Sequence, residues 1–195
     1  MNWINKLTLE GKYTTLIPLE IDHQQGLLAA AADGELWKLW YTSVPSEETI
    51  EDYISDALEQ RKNGTQYPFT VIEKSSNKII GSTRFYNLQP NHRRLEIGFT
   101  WYAASAQRTH VNSECKLLLL SYAFEELNCI AVQFMTNWHN QKSRTAIARL
   151  GARQDGVLRN HRIQPDGSYS DTVVFSIAEH EWNGVKKTLI QKLNQ

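Results

Sequence analysis

The pattern of apolar and polar positions changes its period in the middle of the chain, between residues 101 and 117. Between residues 95 and 101 every second residue is apolar, which is typical of a strand with one buried face. From residue 117 the spacing becomes three and four residues, which indicates one apolar face of a helix. The strand positions are Leu95, Ile97, Phe99 and Trp101, and the helix positions are Leu117, Leu120, Phe124 and Leu127. The segment 95–124 is therefore predicted to be a strand, a polar loop and a helix.

The same patterns predict the remaining elements. Strands are expected at 7–18, 66–73, 78–88, 130–136, 152–162 and 169–178. Helices are expected at 22–32, 45–63 and 140–150, and in a tail whose apolar positions are Trp182, Val185, Leu189 and Leu193. Asp22 and Ser46 are the expected N-caps of the first two helices, and Gly11 is expected to weaken or bulge the opening strand. Because a strand–helix–strand–helix run follows several antiparallel strands, the predicted α/β (α+β) fold has one mixed, mostly antiparallel sheet.

Composition narrows the class of protein. The 195 residues fit one domain spanning 1–195, and the contents of 41% hydrophobic and 22% charged residues are those of a globular chain. The 21 basic residues balance 21 acidic ones, so the chain lacks the positive charge that binding nucleic acid by bulk charge requires. No apolar run approaches a membrane span, and residues 1–13 lack the continuous apolar core of a secretory leader. We therefore expect neither a nucleic-acid nor a membrane partner.

The two cysteines favour a reducing compartment. Cys115 and Cys129 lie at the two ends of one predicted helix, roughly 20 Å apart at the helical rise, which is too far for a disulfide. Their spacing matches no zinc motif, so no metal site is expected. A catalytic thiol is the alternative to two small buried residues. Reduced cysteines without a leader indicate the cytoplasm.

Polar residues occupy the loop before the central helix. Residues 107–112 supply hydroxyl, amide and cationic groups directly in front of the first helical turn. The start of a helix leaves backbone N–H groups unpaired and carries partial positive charge, which suits a phosphate. A solvated connection without a ligand is the alternative.

Three segments carry a family signature. They read QRTHVNSECKLLLLSYAFEELN, NQKSRTAIARLGARQDGVLRNH and DGSYSDTVVFSI. The most specific pattern is Asn140-x-x-Ser143-Arg144-x-Ala146-Ile147-x-x-Leu150-Gly151-Ala152. Through these segments the chain, from about residue 7 to residue 182, resembles the GCN5-related N-acetyltransferases (GNAT), and within them the RimJ/RimL-like, ribosomal-protein-type branch. The resemblance implies a twisted sheet of about seven strands, with helices on both faces and a splayed central strand pair.

The resemblance implies acetyl-CoA as the cosubstrate and no metal. In the family the pyrophosphate lies on the loop that matches Gln107, Arg108, Thr109, His110, Val111 and Asn112. The pantetheine arm enters between the splayed strands, where it would bond to the backbone at Phe99, Thr100 and Trp101. The positions of Arg108 and His110 are usually glycine. The Arg108 guanidinium could bind the pyrophosphate through its charge and its N–H groups. An exposed loop arginine is the alternative.

The implied reaction is the attack of a neutral amine on a thioester, which needs a general base. Glu96 is placed on the strand face of Gly98 and Thr100 and is the first candidate, with a surface or salt-bridged glutamate as the alternative. Asp171 is the weaker candidate for the base. Gly98 suits a bulge or a close approach.

The reaction also needs an acid for the leaving thiolate. Many family members use a tyrosine at the position of Ile147, so this chain lacks that group. In the RimL-like branch a serine that matches Ser143 approaches the CoA sulfur, which makes Ser143 the candidate acid. A capping or packing hydroxyl is the alternative for Ser143. Asn140 is expected to contact the pantetheine amides or to cap its helix.

The expected acceptor is a protein N-terminus or a small amine. The family's layout places Trp37, Trp40 and Tyr41, and the hairpin with Arg159 and Asp171, at the walls of the acceptor site. Core packing is the alternative for the aromatic residues. A non-catalytic CoA-binding module on the same fold is the alternative to an enzyme. A homodimer and a monomer are both left open.

Overall fold

The described part of this protein contains eight strands and five α-helices. The computed structural model describes residues 3–5, 7–164 and 166–194. The strands are β1 (Leu9–Glu10), β2 (Thr14–Pro18), β3 (Tyr67–Glu73), β4 (Lys78–Gln89), β5 (Arg94–Tyr102), β6 (Ala131–Asn137), β7 (Arg153–Ile163) and β8 (Tyr169–Ala178). The helices are α1 (Gln24–Ala32), α2 (Ile50–Lys62), α3 (Val111–Ser121), α4 (Gln141–Arg149) and α5 (Glu179–Leu193), and a π-helical turn (Tyr122–Glu126) continues α3.

The strands form one sheet in the order β1-β2-β3-β4-β5-β6-β8-β7. Every neighbouring pair is antiparallel except β5 and β6, which confirms the predicted mixed, mostly antiparallel sheet. The consecutive residues Arg84 and Phe85 of β4 point to opposite faces. Arg84 stacks on Tyr53 of α2, and Phe85 stacks on Tyr122 after α3. Helices therefore cover both faces of the sheet, as the resemblance implied.

The opening strand is interrupted at Gly11, which gives eight strands instead of about seven. β1 and β2 form a hairpin in which the Gly11 N–H donates to the Thr14 carbonyl oxygen at 2.8 Å. The buried Glu114 carboxylate of α3 accepts three backbone N–H groups of this turn at 2.7–2.9 Å. The donors are Lys12, Tyr13 and Thr14. A Cβ at position 11 would lie 2.3 Å from Glu114 Cδ, so a side chain there would displace the Glu114 carboxylate from this turn. The contact fixes the first turns of α3 against the edge of the sheet.

The first two helices begin later than predicted. Asp22 is not the N-cap of α1, because it lies inside a 3-10 turn (Ile21–His23) that precedes the helix. Ser46 is not the N-cap of α2, because the helix begins at Ile50 with Thr49 before it. The Ser46 N–H instead donates to Thr49 Oγ1 at 2.9 Å. Each expected cap belongs to a turn ahead of the helix, which the spacing of apolar residues does not reveal.

The parallel strands β5 and β6 separate after three residues. Paired residues join Arg94–Glu96 to Ala131–Gln133, and the pairing ends there. β6 stays paired with β8 over its whole length, and β5 stays paired with β4 as far as Tyr102. Residues 97–102 and 134–137 therefore border a gap, which confirms the predicted splayed pair.

A β-bulge in β5 lies beside this gap. A single residue of β4, Thr83, stands opposite two residues of β5, Phe99 and Thr100. Phe99 has a φ angle of 50°, in the left-handed region that bulky residues rarely adopt. Beyond the bulge, Trp101 Nε1 donates to the Tyr53 hydroxyl of α2 at 3.2 Å.

The predicted single apolar face of β5 is wrong beyond this bulge. Ile97 lies on the α3 face of the sheet, as its partner on β4 does, whereas Phe99 and Trp101 lie on the α2 face. Thr100 was expected on the face of Glu96, but its side chain points towards α3. The physical reason is the extra residue, which reverses the alternation of every side chain after it.

A buried lysine of α3 reaches the bulge. The Lys116 ammonium donates to Thr100 Oγ1 at 2.8 Å, and Thr100 Oγ1 lies 2.7 Å from Thr83 Oγ1. No carboxylate of the described residues lies within salt-bridge distance of Lys116. Burial lowers the pKa of Lys116 to about 8, and only the neighbouring Cys115 opposes this shift. The folded protein therefore disfavours the charged form of Lys116.

We expect Lys116→Met to change how stability depends on pH. The pKa of Lys116 is about 8 in the folded protein against an ordinary 10.5, so between these values the unfolded state binds more protons. The buried charge costs about 3 kcal/mol below pH 8, and the wild type regains this stability as the pH rises towards 10.5. Urea unfolding should show the wild type gaining stability relative to Lys116→Met between about pH 7 and pH 9.5.

The exposed Lys62 at the end of α2 provides the matched control. Lys62→Met should differ from the wild type by an amount that stays constant across the same pH range. A constant difference for Lys116→Met as well would contradict the lowered pKa of Lys116.

Candidate active site

The gap between β5 and β6 presents two unpaired strand edges. Among the described residues, no backbone hydrogen bond joins 97–102 of β5 to 134–137 of β6. The edges consist of N–H and C=O groups, which can pair with an extended ligand that carries amides of its own. The site is therefore shaped for a narrow, amide-containing chain.

The loop after β5 brings backbone N–H groups to the start of α3. Arg108 has a φ angle of 62°, the left-handed conformation for which glycine is favoured. Five N–H groups around this turn find no acceptor among the described residues. They belong to Arg108, Thr109, His110, Asn112 and Ser113. Together with the positive end of α3, they form a site where an anion can bind.

Only one of the two expected glycine positions has a glycine-like conformation. Arg108 takes it and is exposed, whereas His110 has an ordinary helical φ angle of −67°. The His110 ring stacks on Tyr13 of the β1–β2 turn, with ring centroids 4.8 Å apart. The backbone at Arg108 therefore has the left-handed conformation that glycine favours, although Arg108 carries a side chain.

The other loop side chains bond to the loop's own backbone. Gln107 Nε2 donates to the Tyr102 carbonyl oxygen at 2.9 Å, and Thr109 Oγ1 donates to the Ala106 carbonyl oxygen at 2.7 Å. Val111 is buried, and Asn112 is half-buried. The Gln107 and Thr109 side chains fix the loop, while the five N–H groups named above find no acceptor among the described residues.

Asn140 and Ser143 lie together at the start of α4. Asn140 is the N-cap, since its Oδ1 accepts the Ser143 N–H at 3.0 Å. The Ser143 hydroxyl has no hydrogen-bond partner among the described residues, and Ser143 is half-buried. Capping is thus performed by Asn140, which leaves the Ser143 hydroxyl available to a ligand. Ile147, at the position of the family's tyrosine, is buried.

Glu96 is a buried carboxylate beside the gap. It is 2% exposed, and its Oε1 accepts from Asn87 Nδ2 at 2.6 Å. Its Oε2 has no partner among the described residues, and no arginine or lysine of these residues forms a salt bridge with it. Burial and, to a lesser degree, the Glu96 carboxylate raise the pKa of the nearby Tyr86 phenol. Glu96 is therefore neither a surface glutamate nor a salt-bridged one.

Gly98 lies directly under Tyr86. A Cβ at position 98 would come within 2.5 Å of Tyr86 Cε1, so the expected close approach is present and the bulge follows at the next residue. The ring of Tyr86 also meets Phe99 edge to face, with centroids 5.3 Å apart. This packing leaves no space for a side chain between Glu96 and the bulge.

The aromatic segment after α1 divides between two environments. Trp37 is half-buried and packs against the core, whereas Trp40 is 58% exposed. The Trp40 ring lies 5.5 Å from the rings of both Tyr41 and His139. Since His139 directly precedes the N-cap of α4, the exposed part of this segment lies close to the start of α4.

The carboxylate of Asp171 on β8 bonds to residues of β7. It accepts the Asn160 N–H at 2.8 Å and forms a salt bridge with Arg159. No hydrogen bond or salt bridge joins Asp171 to Glu96 or to Ser143 within the described residues. The Asp171 carboxylate is held by the hairpin, while the Asp171 carbonyl oxygen accepts the Trp138 N–H at 3.0 Å and so lies beside the segment that leads into α4.

The two cysteines are buried and carry no disulfide. Burial raises the pKa of Cys115 to about 11 and that of Cys129 to about 12. Both thiols therefore stay protonated at neutral pH, which argues against a catalytic thiol. The described residues include no cluster of three or more His, Cys, Asp and Glu that could bind a metal ion.

None of the helices within the described ranges combines the length and apolar composition that crossing a membrane requires.

Sequence reasoning missed three groups that contact the bulge in β5. They are Arg84, Tyr86 and Lys116, and each lies inside a stretch whose pattern predicts an apolar strand or helix. A signal was present for Arg84 and Lys116, because a single cation inside an apolar run is rarely buried without a specific partner. The partners themselves come from other elements and could not be read from local spacing.

Comparison with known proteins identifies the family. Residues 14–153 match the description "Acetyltransferase (GNAT) domain". The uncharacterized N-acetyltransferase YoaA of Bacillus subtilis (strain 168) is 29% identical over 144 residues, which cover 71% of this chain and 79% of YoaA. A GCN5-related N-acetyltransferase structure from Brucella melitensis superposes with a TM-score of 0.86 at 26% identity, covering 97% of this chain and 86% of that one.

The RimJ-type branch appears among the solved structures. Mycobacterium smegmatis RimJ in complex with CoA-disulfide superposes with a TM-score of 0.76, over 92% of this chain and 88% of that one. At 17% identity this likeness shows a shared fold. Because the family match spans β2 to the start of β7, more than half of the chain, this protein belongs to the GNAT family of N-acetyltransferases.

Proposed function

We propose that this protein transfers the acetyl group of acetyl-CoA to a primary amine by direct attack of the amine on the thioester. The observation that carries the proposal is the gap between β5 and β6, which ends beside the free N–H groups at the start of α3. An amide-containing pantetheine arm fits the unpaired edges, and a pyrophosphate fits the helix start. The solved RimJ neighbour contains a CoA disulfide, which supports CoA as the ligand class.

The reaction needs a base for the amine proton. Glu96 is our candidate, because one oxygen of its buried carboxylate has no hydrogen-bond partner among the described residues. The amine nitrogen attacks the carbonyl carbon, and its proton passes to Glu96, directly or through one water. The hydrogen bond that Asn87 Nδ2 donates to Glu96 Oε1 holds the carboxylate in place.

The reaction also needs an acid when the C–S bond breaks. Ser143 is our candidate, because its hydroxyl is free and lies in the first turn of α4, where the helix dipole favours a thiolate. The hydroxyl proton passes to the departing CoA sulfur, and Ser143 regains a proton from solvent, into which Glu96 releases the proton taken from the amine. Asn140 orients this turn as its cap.

The acceptor is proposed to be a protein N-terminus or a small amine. The proposed walls of the acceptor site are Trp37, Trp40, Tyr41 and the hairpin that carries Asp171. Among them, Trp40 is exposed and offers its ring to the acceptor. We place the reaction in one acetyltransferase domain spanning 1–195 and in the cytoplasm, where two buried thiols stay reduced.

A non-catalytic CoA-binding module is the second candidate. It is favoured by Ile147, a buried apolar residue where many family members carry an acid. Thiol release from acetyl-CoA, measured against a panel of peptides and small amines, separates the two candidates. Binding of acetyl-CoA without thiol release for any amine would support the module.

We expect Glu96→Gln and Ser143→Ala to lower turnover without weakening acetyl-CoA binding. Loss of a general base or acid typically costs about 10²- to 10⁴-fold in rate. Stopped-flow thiol release should therefore show a lower kcat for both variants, while calorimetry gives an unchanged Kd for acetyl-CoA. The exposed Ser55→Ala on α2 is the control and should match the wild type. A wild-type kcat in Ser143→Ala would remove Ser143 from the mechanism.

Arg108→Ala and Arg108→Gly separate the cation from the backbone conformation. Both variants lose the charge, but only glycine relieves the left-handed conformation at φ 62°. If the guanidinium contacts the pyrophosphate, both should weaken acetyl-CoA binding by about 10-fold, with a reduced salt dependence. If only the backbone matters, Arg108→Gly should bind as tightly as the wild type. Calorimetry at two salt concentrations distinguishes these results.

A further inference from the structure

The bulge residue Phe99 keeps a conformation that its own chemistry disfavours. Its φ angle of 50° lies in the left-handed region, where a bulky L-residue is strained. Its ring is still 37% exposed, so burial of this side chain alone does not hold it. Contacts from neighbouring residues must therefore stabilise the bulge.

On the α2 face, Phe99 contacts the Arg84 guanidinium and the edge of the Tyr86 ring, and Arg84 is the charged one of the two. The Arg84 guanidinium carbon lies 4.5 Å from the centroid of the Phe99 ring and 4.5 Å from that of Tyr53. The guanidinium is thus placed between the two rings, with Nη1 donating to Gln66 Oε1 at 3.0 Å. Since the Tyr53 hydroxyl also accepts from Trp101 Nε1, both sides of the bulge are tied to α2.

On the α3 face, Lys116 performs the corresponding role. Its ammonium donates to Thr100 Oγ1, which in turn contacts Thr83 Oγ1 of β4. Thr100 Oγ1 also lies 3.4 Å from the Gly98 carbonyl oxygen, across the bulge. The residue after Phe99 is thereby fixed to α3 and β4 at once.

Neither buried cation has a buried carboxylate partner among the described residues. Arg84 is 1% exposed, and its nearest carboxylate, Asp56, lies 3.7 Å away and is 59% exposed. The Arg84 Nε has no partner, and Lys116 has no carboxylate in reach among the described residues. An apolar residue of similar size avoids this desolvation cost. Overall stability therefore does not explain why charged residues occupy these positions.

From these contacts we propose that Arg84 and Lys116 are positioning residues for the cofactor. Acting from opposite faces, they hold Phe99 and Thr100 in the bulge, which turns β5 away from β6 and keeps the gap open. The proposal rests on the proposed function, in which the pantetheine arm of acetyl-CoA occupies that gap. Without these two cations, β5 can straighten and extend its pairing with β6 beyond Glu96.

The test compares two ligands by calorimetry. Acetyl-CoA needs both the loop and the gap, whereas 3′-phosphoadenosine 5′-diphosphate lacks the pantetheine arm and needs only the loop. We expect Arg84→Met and Lys116→Met to raise the Kd for acetyl-CoA by about 10-fold or more, and that for the shorter ligand by less than about twofold. Arg61→Met removes a half-buried cation that contacts Leu19 and Glu20, and it should change neither Kd.

The outcomes separate this proposal from the proposed function. If both variants bind acetyl-CoA like the wild type, or weaken both ligands equally, the positioning role is refuted while the function stands. If the wild type binds neither ligand, the proposed function is refuted. Where Lys116→Met fails to fold in thermal unfolding, Thr100→Val replaces it, because this change removes the hydroxyl to which Lys116 donates. Where Arg84→Met fails to fold, Phe99→Leu replaces it, because this change removes the ring that the Arg84 guanidinium contacts, and it should likewise weaken acetyl-CoA binding. Unchanged acetyl-CoA affinity in Thr100→Val would also overturn the proposal.

Discussion

The structure depends on the early separation of two parallel strands. β5 and β6 pair for three residues and then diverge, although each remains paired with its other neighbour. Because they run parallel, their carboxyl ends lie at the same edge of the sheet, and each leads into the start of a helix. The N-termini of α3 and α4 therefore both border the open end of the gap. One gap thus combines unpaired strand edges with two positive helix ends, which suits a ligand with an amide chain and an anionic group.

The charged groups around this gap are unusual for a core. Glu96 lies on one side of the bulge with a free oxygen, and Arg84 and Lys116 lie on its two faces. Burying three ionisable side chains costs free energy that apolar residues would save. Such a concentration beside one strand irregularity is typical of a functional site, where shape and charge are kept at the expense of stability. We therefore interpret the gap, the bulge and the buried charged side chains as parts of one functional site.

Local periodicity located the elements but not the details of the site. The alternation from Leu95 to Trp101 correctly predicted a strand, yet the bulge at Phe99 reversed the face of each later residue. Periodicity assumes one residue per pleat step, and only pairing with β4 reveals the extra one. The helix predicted over 140–150 is present as α4, and Asn140 caps it, which a local pattern can indicate because capping is a local interaction. The neighbours of Glu96 and Lys116 come from separate elements, and no local pattern encodes them.

The most direct test of this account is amide hydrogen exchange with and without acetyl-CoA. If the gap holds the pantetheine arm, amides of 97–102, 134–137 and 108–113 should exchange more slowly in the complex, while the β7–β8 pairing changes little. Binding of acetyl-CoA with no added protection along 97–102 and 134–137 would contradict the account, because the cofactor would then lie elsewhere.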